Sequence, residues 1–246
     1  MDLLDGTKTV RDIVVADYRT ADVFKKWGIN YCCGGNLPLG DACTLKNIDR
    51  LELTNDIKKA TQDVRVSNIL PFNSWSSEFL VDYIIHVHHD YLRTTLPALK
   101  QSVDSFVNGH LKKYPHLGPV RQVVFDLAAE LEEHIEQEEE SIFPYIKQIS
   151  NTYNRKEVYG NLFVRTMRKP LAAIIDREHR RIADLLQELR EKTNGYTFPD
   201  DACANHQVMY RKLQELDADL MQHKHLENNV LFPRAIEMEK SILQFS

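Results

Sequence analysis

The sequence predicts an all-α protein: an antiparallel four-helix bundle preceded by a small N-terminal helical domain. Three observations carry this. From about residue 77 onward, apolar residues recur at helical spacing in four long stretches separated by glycine- or proline-marked breaks. No stretch shows the two-residue alternation of a half-buried strand. A pattern of histidine, glutamate four residues later and Phe-Pro five residues after that occurs twice, as His134/Glu138/Phe143-Pro144 and as His223/Glu227/Phe232-Pro233.

Residues 1–65 read as the small domain, with short elements, several glycines and three of the four cysteines. Residues 66–76 read as a linker and 77–246 as the bundle. The first long helix is expected over about 77–108 and the second over about 119–149. The third is expected over about 168–193, with Pro170 in its first turn, where proline is tolerated. The fourth is expected over about 200–241, capped by Asp200 or Asp201 after Pro199. The spacing from His89 to His179 is 90 residues and from His134 to His223 it is 89, so the bundle reads as one helix pair present twice.

Helical geometry separates inward from outward side chains. The apolar seams run Ile85, His89, Leu92, Leu96; Leu127, Leu131, His134, Glu138, Ile142; Ile175, His179, Ile182, Leu186; and Leu216, Leu220, His223, Glu227, Leu231. His86 shares a stripe with Asp90 and Arg93 and faces solvent. His225 lies about 160° from His223 at about 100° per residue. His88, between the stripes of Ile84 and Tyr91, is assigned to neither face. Each helix thus sets one histidine on a stripe of leucine and isoleucine, and two helices add a carboxylate one turn later.

A single seam histidine is an ordinary core residue. A buried carboxylate without a cation is not, because its desolvation costs several kcal/mol on the order-of-magnitude scale for buried ions. His89, His134, Glu138, His179, His223 and Glu227 are therefore expected to be metal ligands. Four imidazoles and two carboxylates suit iron, manganese or zinc, and six protein ligands exceed one tetrahedral zinc. The set fits two metals, and two iron ions bridged by the carboxylates and by an oxide or hydroxide are expected, with open positions for small molecules.

The formal net charge of -5 gives no basic surface for nucleic acid or an anionic membrane. No apolar run approaches the roughly 20 residues of a membrane span. The N-terminus lacks a secretory pattern, so a cytoplasmic location is expected. Cys32 and Cys33 are adjacent, which disfavours a bridge between them, and are expected to be thiols on a tight turn whose two glycines permit positive φ. Cys43 and Cys203 are expected to pack.

Residues 77–245 resemble the hemerythrin-like domain, carried by His89, His134, Glu138, His179, His223 and Glu227. Two departures separate the chain from the oxygen carriers. His179 is followed four residues on by Ala183 rather than histidine, and the last motif ends in a glutamate rather than a wider-spaced aspartate. The missing histidine implies a more open iron. The stretch Tyr31-Cys32-Cys33-Gly34-Gly35 followed by a bundle containing Leu226-Glu-Asn-Asn-Val-Leu-Phe-Pro233 is similar to the iron–sulfur cluster repair proteins, the di-iron "repair of iron centres" family. The resemblance implies a protein that restores iron–sulfur clusters damaged by nitric oxide or peroxide. Its partners would be damaged or apo iron–sulfur proteins, with Cys32 and Cys33 active in iron transfer or thiol exchange. An enzyme acting on nitric oxide or nitrite at the open centre is the alternative. The sequence does not fix the oligomeric state, and the small domain is a candidate for joining two copies as a homodimer.

Overall fold

The structure, a computed structural model, describes Leu4 and residues 7–32, 34–62, 70–156, 160–166 and 171–244, the side chains of 172–179 excepted. Its regular elements among these residues are all helical, as predicted, and the β pairing present is one isolated bridge between Thr9 and Pro38. The chain forms two compact units, Met1–Asn68 with Tyr196–Gln214, and Ile69–Gly195 with Glu215–Ser246.

Among the described residues, the N-terminal part of the first unit contains four short helices: α1 (Val10–Ala16), α2 (Thr20–Lys26), α3 (Leu39–Lys46) and α4 (Arg50–Ala60). Their ends follow from local chemistry. The Thr9 hydroxyl accepts from the Asp12 amide at 3.1 Å while the Asp12 carboxylate accepts from the Thr9 amide, a reciprocal capping box. Asp49 caps α4 through the Leu51 amide at 2.7 Å. Asn47 ends α3 at φ 52°, a left-handed position that asparagine tolerates. Val10, Ile13, Phe24, Leu39, Leu53 and Ile57 form the core, joined by Val208 from α11 (Ala204–Leu226), a helix that contributes residues to both units.

The glycines after the cysteines act differently from expectation. Positive φ occurs at Gly28 and Gly195, not at Gly34 or Gly35. Gly35 is required by close approach instead: a Cβ there would lie 2.2 Å from the Tyr31 carbonyl oxygen. The same residue's carbonyl accepts from the Arg11 amide at 2.9 Å, which ties the cysteine turn to α1.

The second unit is built from long helical rods. The first runs from α5 (Ser77–Tyr83) into α6 (Asp90–His110), and the second from α7 (Leu117–Gln137) into α8 (Phe143–Arg155). A short α9 (Gly160–Thr166) follows, then α10 (Leu171–Lys192), and α11 runs on into α12 (Phe232–Gln244). Ser76 caps α5 through the Phe79 amide at 3.2 Å. Polar pairs fix the directions. Asp82 pairs with Lys147, His89 with Glu139, Lys100 with Glu132 and Asp104 with Arg121, so the first two rods run oppositely. The Asn73 carbonyl accepts from Arg234, and His88 pairs with Asp219, so the first and last rods also run oppositely. α7 packs against both α6 and α10. Leucine, isoleucine and phenylalanine from all of these fill the interior, with Leu80, Ile84, Phe143, Ile146, Leu231 and Phe232 at one end. Neither Asp200 nor Asp201 starts the last rod. The chain turns there, with the Ala202 amide donating to the Pro199 carbonyl at 2.9 Å, and the helix begins at Ala204.

Three rods widen locally. Over Ile84–His89, Glu138–Ile142 and Glu227–Leu231 the backbone takes π-helical turns. They close with amide-to-carbonyl bonds from Asp90 to Ile85, Phe143 to Glu138 and Phe232 to Glu227, each five residues back. Such turns insert one residue, cost helical regularity and concentrate at functional sites. Each here contains a candidate ligand: His89, Glu138 or Glu227.

Candidate metal centre

The two H-x3-E pairs and the first-rod histidine meet in the interior of the second unit. One ligand atom from each of His89, Glu138, His223 and Glu227 lies within 4.8 Å of all the others. Both glutamates and His89 are 0% exposed and His223 is 1% exposed, so the group is out of reach of bulk water. His89 Nε2 sits 3.3 Å from Glu138 Oε2 and 3.2 Å from His223 Nε2, and His223 Nε2 sits 2.5 Å from Glu227 Oε1. His134, also buried, brings its Nε2 to 3.5 Å from Glu138 Oε2. Nitrogen and oxygen atoms from three rods are thus turned towards one another in an apolar interior, an arrangement that could hold a cation.

The donor set fits a metal ion on chemical grounds. Two imidazole nitrogens and two carboxylates, with a third imidazole beside them, are a mixed nitrogen–oxygen set of the kind that suits iron, manganese or zinc. Two buried carboxylates bring a charge that a cation offsets. The remaining candidate, His179, lies on α10, and its side chain is outside the described residues.

Glu139 fixes the tautomer of His89. Its Nδ1 stands 2.7 Å from Glu139 Oε1, and since a carboxylate only accepts, Nδ1 carries the proton and Nε2 presents a lone pair. Burial, followed by repulsion from His223, pushes the His89 pKa down to about 4 against the opposing pull of Glu139, so the ring is neutral near pH 7. Burial alone would raise the Glu139 pKa. The hydrogen bonds from His89 and Arg93 outweigh it and hold the carboxyl below its ordinary range, with Arg93 Nη2 at 2.7 Å.

Sequence reasoning missed Glu139. It stands in the acidic run Glu136–Glu140, which reads as a solvated face on an α-helical wheel. The π-turn that begins at Glu138 breaks that wheel and brings consecutive glutamates to one cluster, Glu138 directly and Glu139 through its contact with His89. A signal for the turn was present. Pro144 and Pro233 each stand six residues after a site glutamate. Proline has no amide hydrogen to give and its ring crowds the carbonyl four residues back, so a wide turn just before it accommodates both constraints.

Of the two cysteines singled out, Cys33 lies outside the described residues. Cys32 is half-buried, its amide donates to Asn30 Oδ1 at 2.9 Å, and it is in no disulfide. It lines a cavity of about 270 Å³ in the first unit together with Lys25, Ile29, Asn30, Tyr31 and Asn205. Tyr31 is pushed up to about 12, first by burial and then by the negative ends of Asp22, Cys32 and Cys203, so its phenol stays protonated beside the thiol. Cys43 is buried in the core of this unit, and burial raises its thiol pKa.

Comparison with known proteins gives two matches along the chain. Residues 6–61 match the domain of unknown function DUF542 (ScdA_N), and residues 80–235 match the hemerythrin HHE cation binding domain. Among curated relatives, the iron–sulfur cluster repair protein YtfE of Escherichia coli O17:K52:H18 is 31% identical over 225 residues, covering 90% of this chain and 93% of that protein. The protein of the same name from Escherichia fergusonii matches with the same identity and coverage.

Proposed function

The chain belongs to the family of the iron–sulfur cluster repair protein YtfE, and from that membership we propose that it holds two iron ions and supplies iron to damaged or apo iron–sulfur proteins. The observation that carries the reading is the convergence of His89, Glu138, His223 and Glu227 on one fully buried point. His134 and His179 would complete the set that holds the pair, with an oxide or hydroxide as the further anion the charge balance would call for. When bound, the pair supplies exchangeable iron and open coordination positions.

The chain's own residues divide the work. Glu138 and Glu227 offset part of the metal charge, one from each H-x3-E pair. Glu139 keeps the His89 proton on Nδ1, and Arg93 keeps Glu139 ionised and aimed. This cage has only two anionic protein donors, so it retains iron less tightly than an all-carboxylate site and suits a store that must release. Cys32 and Cys33 receive iron as thiolates, giving up their thiol protons, and hand it on by ligand exchange to a thiolate of the client, in the cytoplasm, where thiols stay reduced.

Iron-loaded protein is expected to transfer metal to an apo iron–sulfur protein, read by cluster absorbance in the recipient after sulfide is added. Changing Cys32 and Cys33 to alanine is expected to slow transfer about tenfold or more while bound iron stays at the starting level. Iron-loaded protein that yields no cluster in the recipient would contradict the repair reading. Many turnovers of nitric oxide or nitrite with an electron donor would favour an enzyme in its place.

A further inference from the structure

The first rod carries a second buried histidine that the proposed ligand set does not use. His88 is 1% exposed, although an α-helical wheel turns adjacent residues about 100° apart. The π-turn at Ile84–His89 is what lets both His88 and His89 face inward. His88 Nδ1 stands 2.9 Å from Asp219 Oδ1, so that nitrogen carries its proton towards the carboxylate. Its Nε2 is buried and has no hydrogen-bond partner among the described residues. The remaining contacts of the ring are through its faces and edge. It lies parallel to His223, with centroids 5.4 Å apart and planes 5° apart, and meets Tyr83 edge-on at 5.8 Å.

His89 and His223 are held by different means. Glu139 fixes His89 through Nδ1. No carboxylate holds Nδ1 of His223 among the described residues, and the parallel face of His88 lies against that ring instead. Asp219 precedes His223 by one helical turn, so the tether for His88 comes from the rod that carries His223 itself. We infer that His88, tethered by Asp219, is a positioning residue that sets the ring plane of His223 for metal binding. The inference rests on the metal reading above and extends it to how one ligand is oriented.

The pair predicts a specific pattern of release. Full-length protein is loaded with Co(II), and the loss of its visible absorption is followed after adding a chelator. His88→Ala removes the stacking face and is expected to release cobalt about tenfold faster than wild type, with a shifted cobalt spectrum, as for other losses of support behind a ligand. His88→Phe restores the face without Nδ1 and is expected to return the spectrum and most of the retention. Asp219→Ala likewise keeps the face without its tether and is expected to fall between wild type and His88→Ala. Should His88→Ala lose its helical circular dichroism, Asp219→Ala decides, since it removes only the tether: wild-type release and spectrum overturn the inference. Release from His88→Ala at the wild-type rate, or His88→Phe as fast as His88→Ala, overturns it as well. Wild-type protein that takes up no cobalt overturns the metal reading and this inference together, which keeps the two failures distinct.

Discussion

Replacing Glu138 and Glu227 together by alanine is expected to lower bound iron at least about tenfold while helical content persists, a loss no smaller than that seen when only the support behind a ligand is removed. Both carboxylates are 0% exposed, and they are the anionic members of the four-atom convergence. Without them the imidazoles alone would face the full charge of the ions. A second effect separates this from ordinary core damage. Truncating a core side chain costs stability through the cavity it leaves. Here each removed side chain also carried a buried charge, whose desolvation costs several kcal/mol, roughly the larger of the two terms. In chelator, the double variant should therefore melt no lower than metal-free wild type. Metal analysis and a thermal melt measure both quantities. Unchanged iron content in the variant would contradict the assignment of these two residues.

The metal-free protein is expected to lose about 3 kcal/mol of stability as pH falls from 6.5 to about 4, through His89 alone. Burial comes first among the causes and repulsion from His223 second, and together they hold the folded-state pKa at about 4 against an ordinary 6.5. Between these values the unfolded chain binds the proton and the folded chain does not. Proton uptake therefore favours unfolding across that window, and the contribution is complete at and above its upper edge. Denaturant titrations at pH 7, 5.5 and 4.5 in chelator measure the slope. His89→Phe, which keeps an apolar ring beside Phe143, should flatten it relative to wild type. Parallel pH dependences for the two proteins would exclude His89 as the source.

The fold class and the inward faces were legible because both depend on a 3.6-residue period that apolar side chains report directly. His86 and His225 are exposed, while His89, His134, Glu138, His223 and Glu227 are buried, as their wheel positions indicate. The repair family was legible from the cysteine turn and the Leu-Glu-Asn-Asn-Val-Leu-Phe-Pro stretch. What depended on a departure from that period was not. His88 fell between two stripes on the wheel, and it took a π-turn to bury it beside His89. Glu139 read as solvent-facing for the same reason. The association of 196–214 with the first unit was also out of reach, because pairing with residues some 200 positions earlier leaves no local pattern. Lys212, for example, meets Asp22 at 2.6 Å, and nothing near either residue in sequence points to the other.

The direct test of the central claim is metal analysis, with an absorption spectrum, of full-length protein purified without added metal. Close to two irons per chain, with near-ultraviolet bands of bridged ferric ions that bleach on reduction, is the result expected if the six named side chains hold a pair of ions. Protein that carries one iron, another metal at full occupancy or none, and that gains no second iron on anaerobic loading with Fe(II), would contradict it.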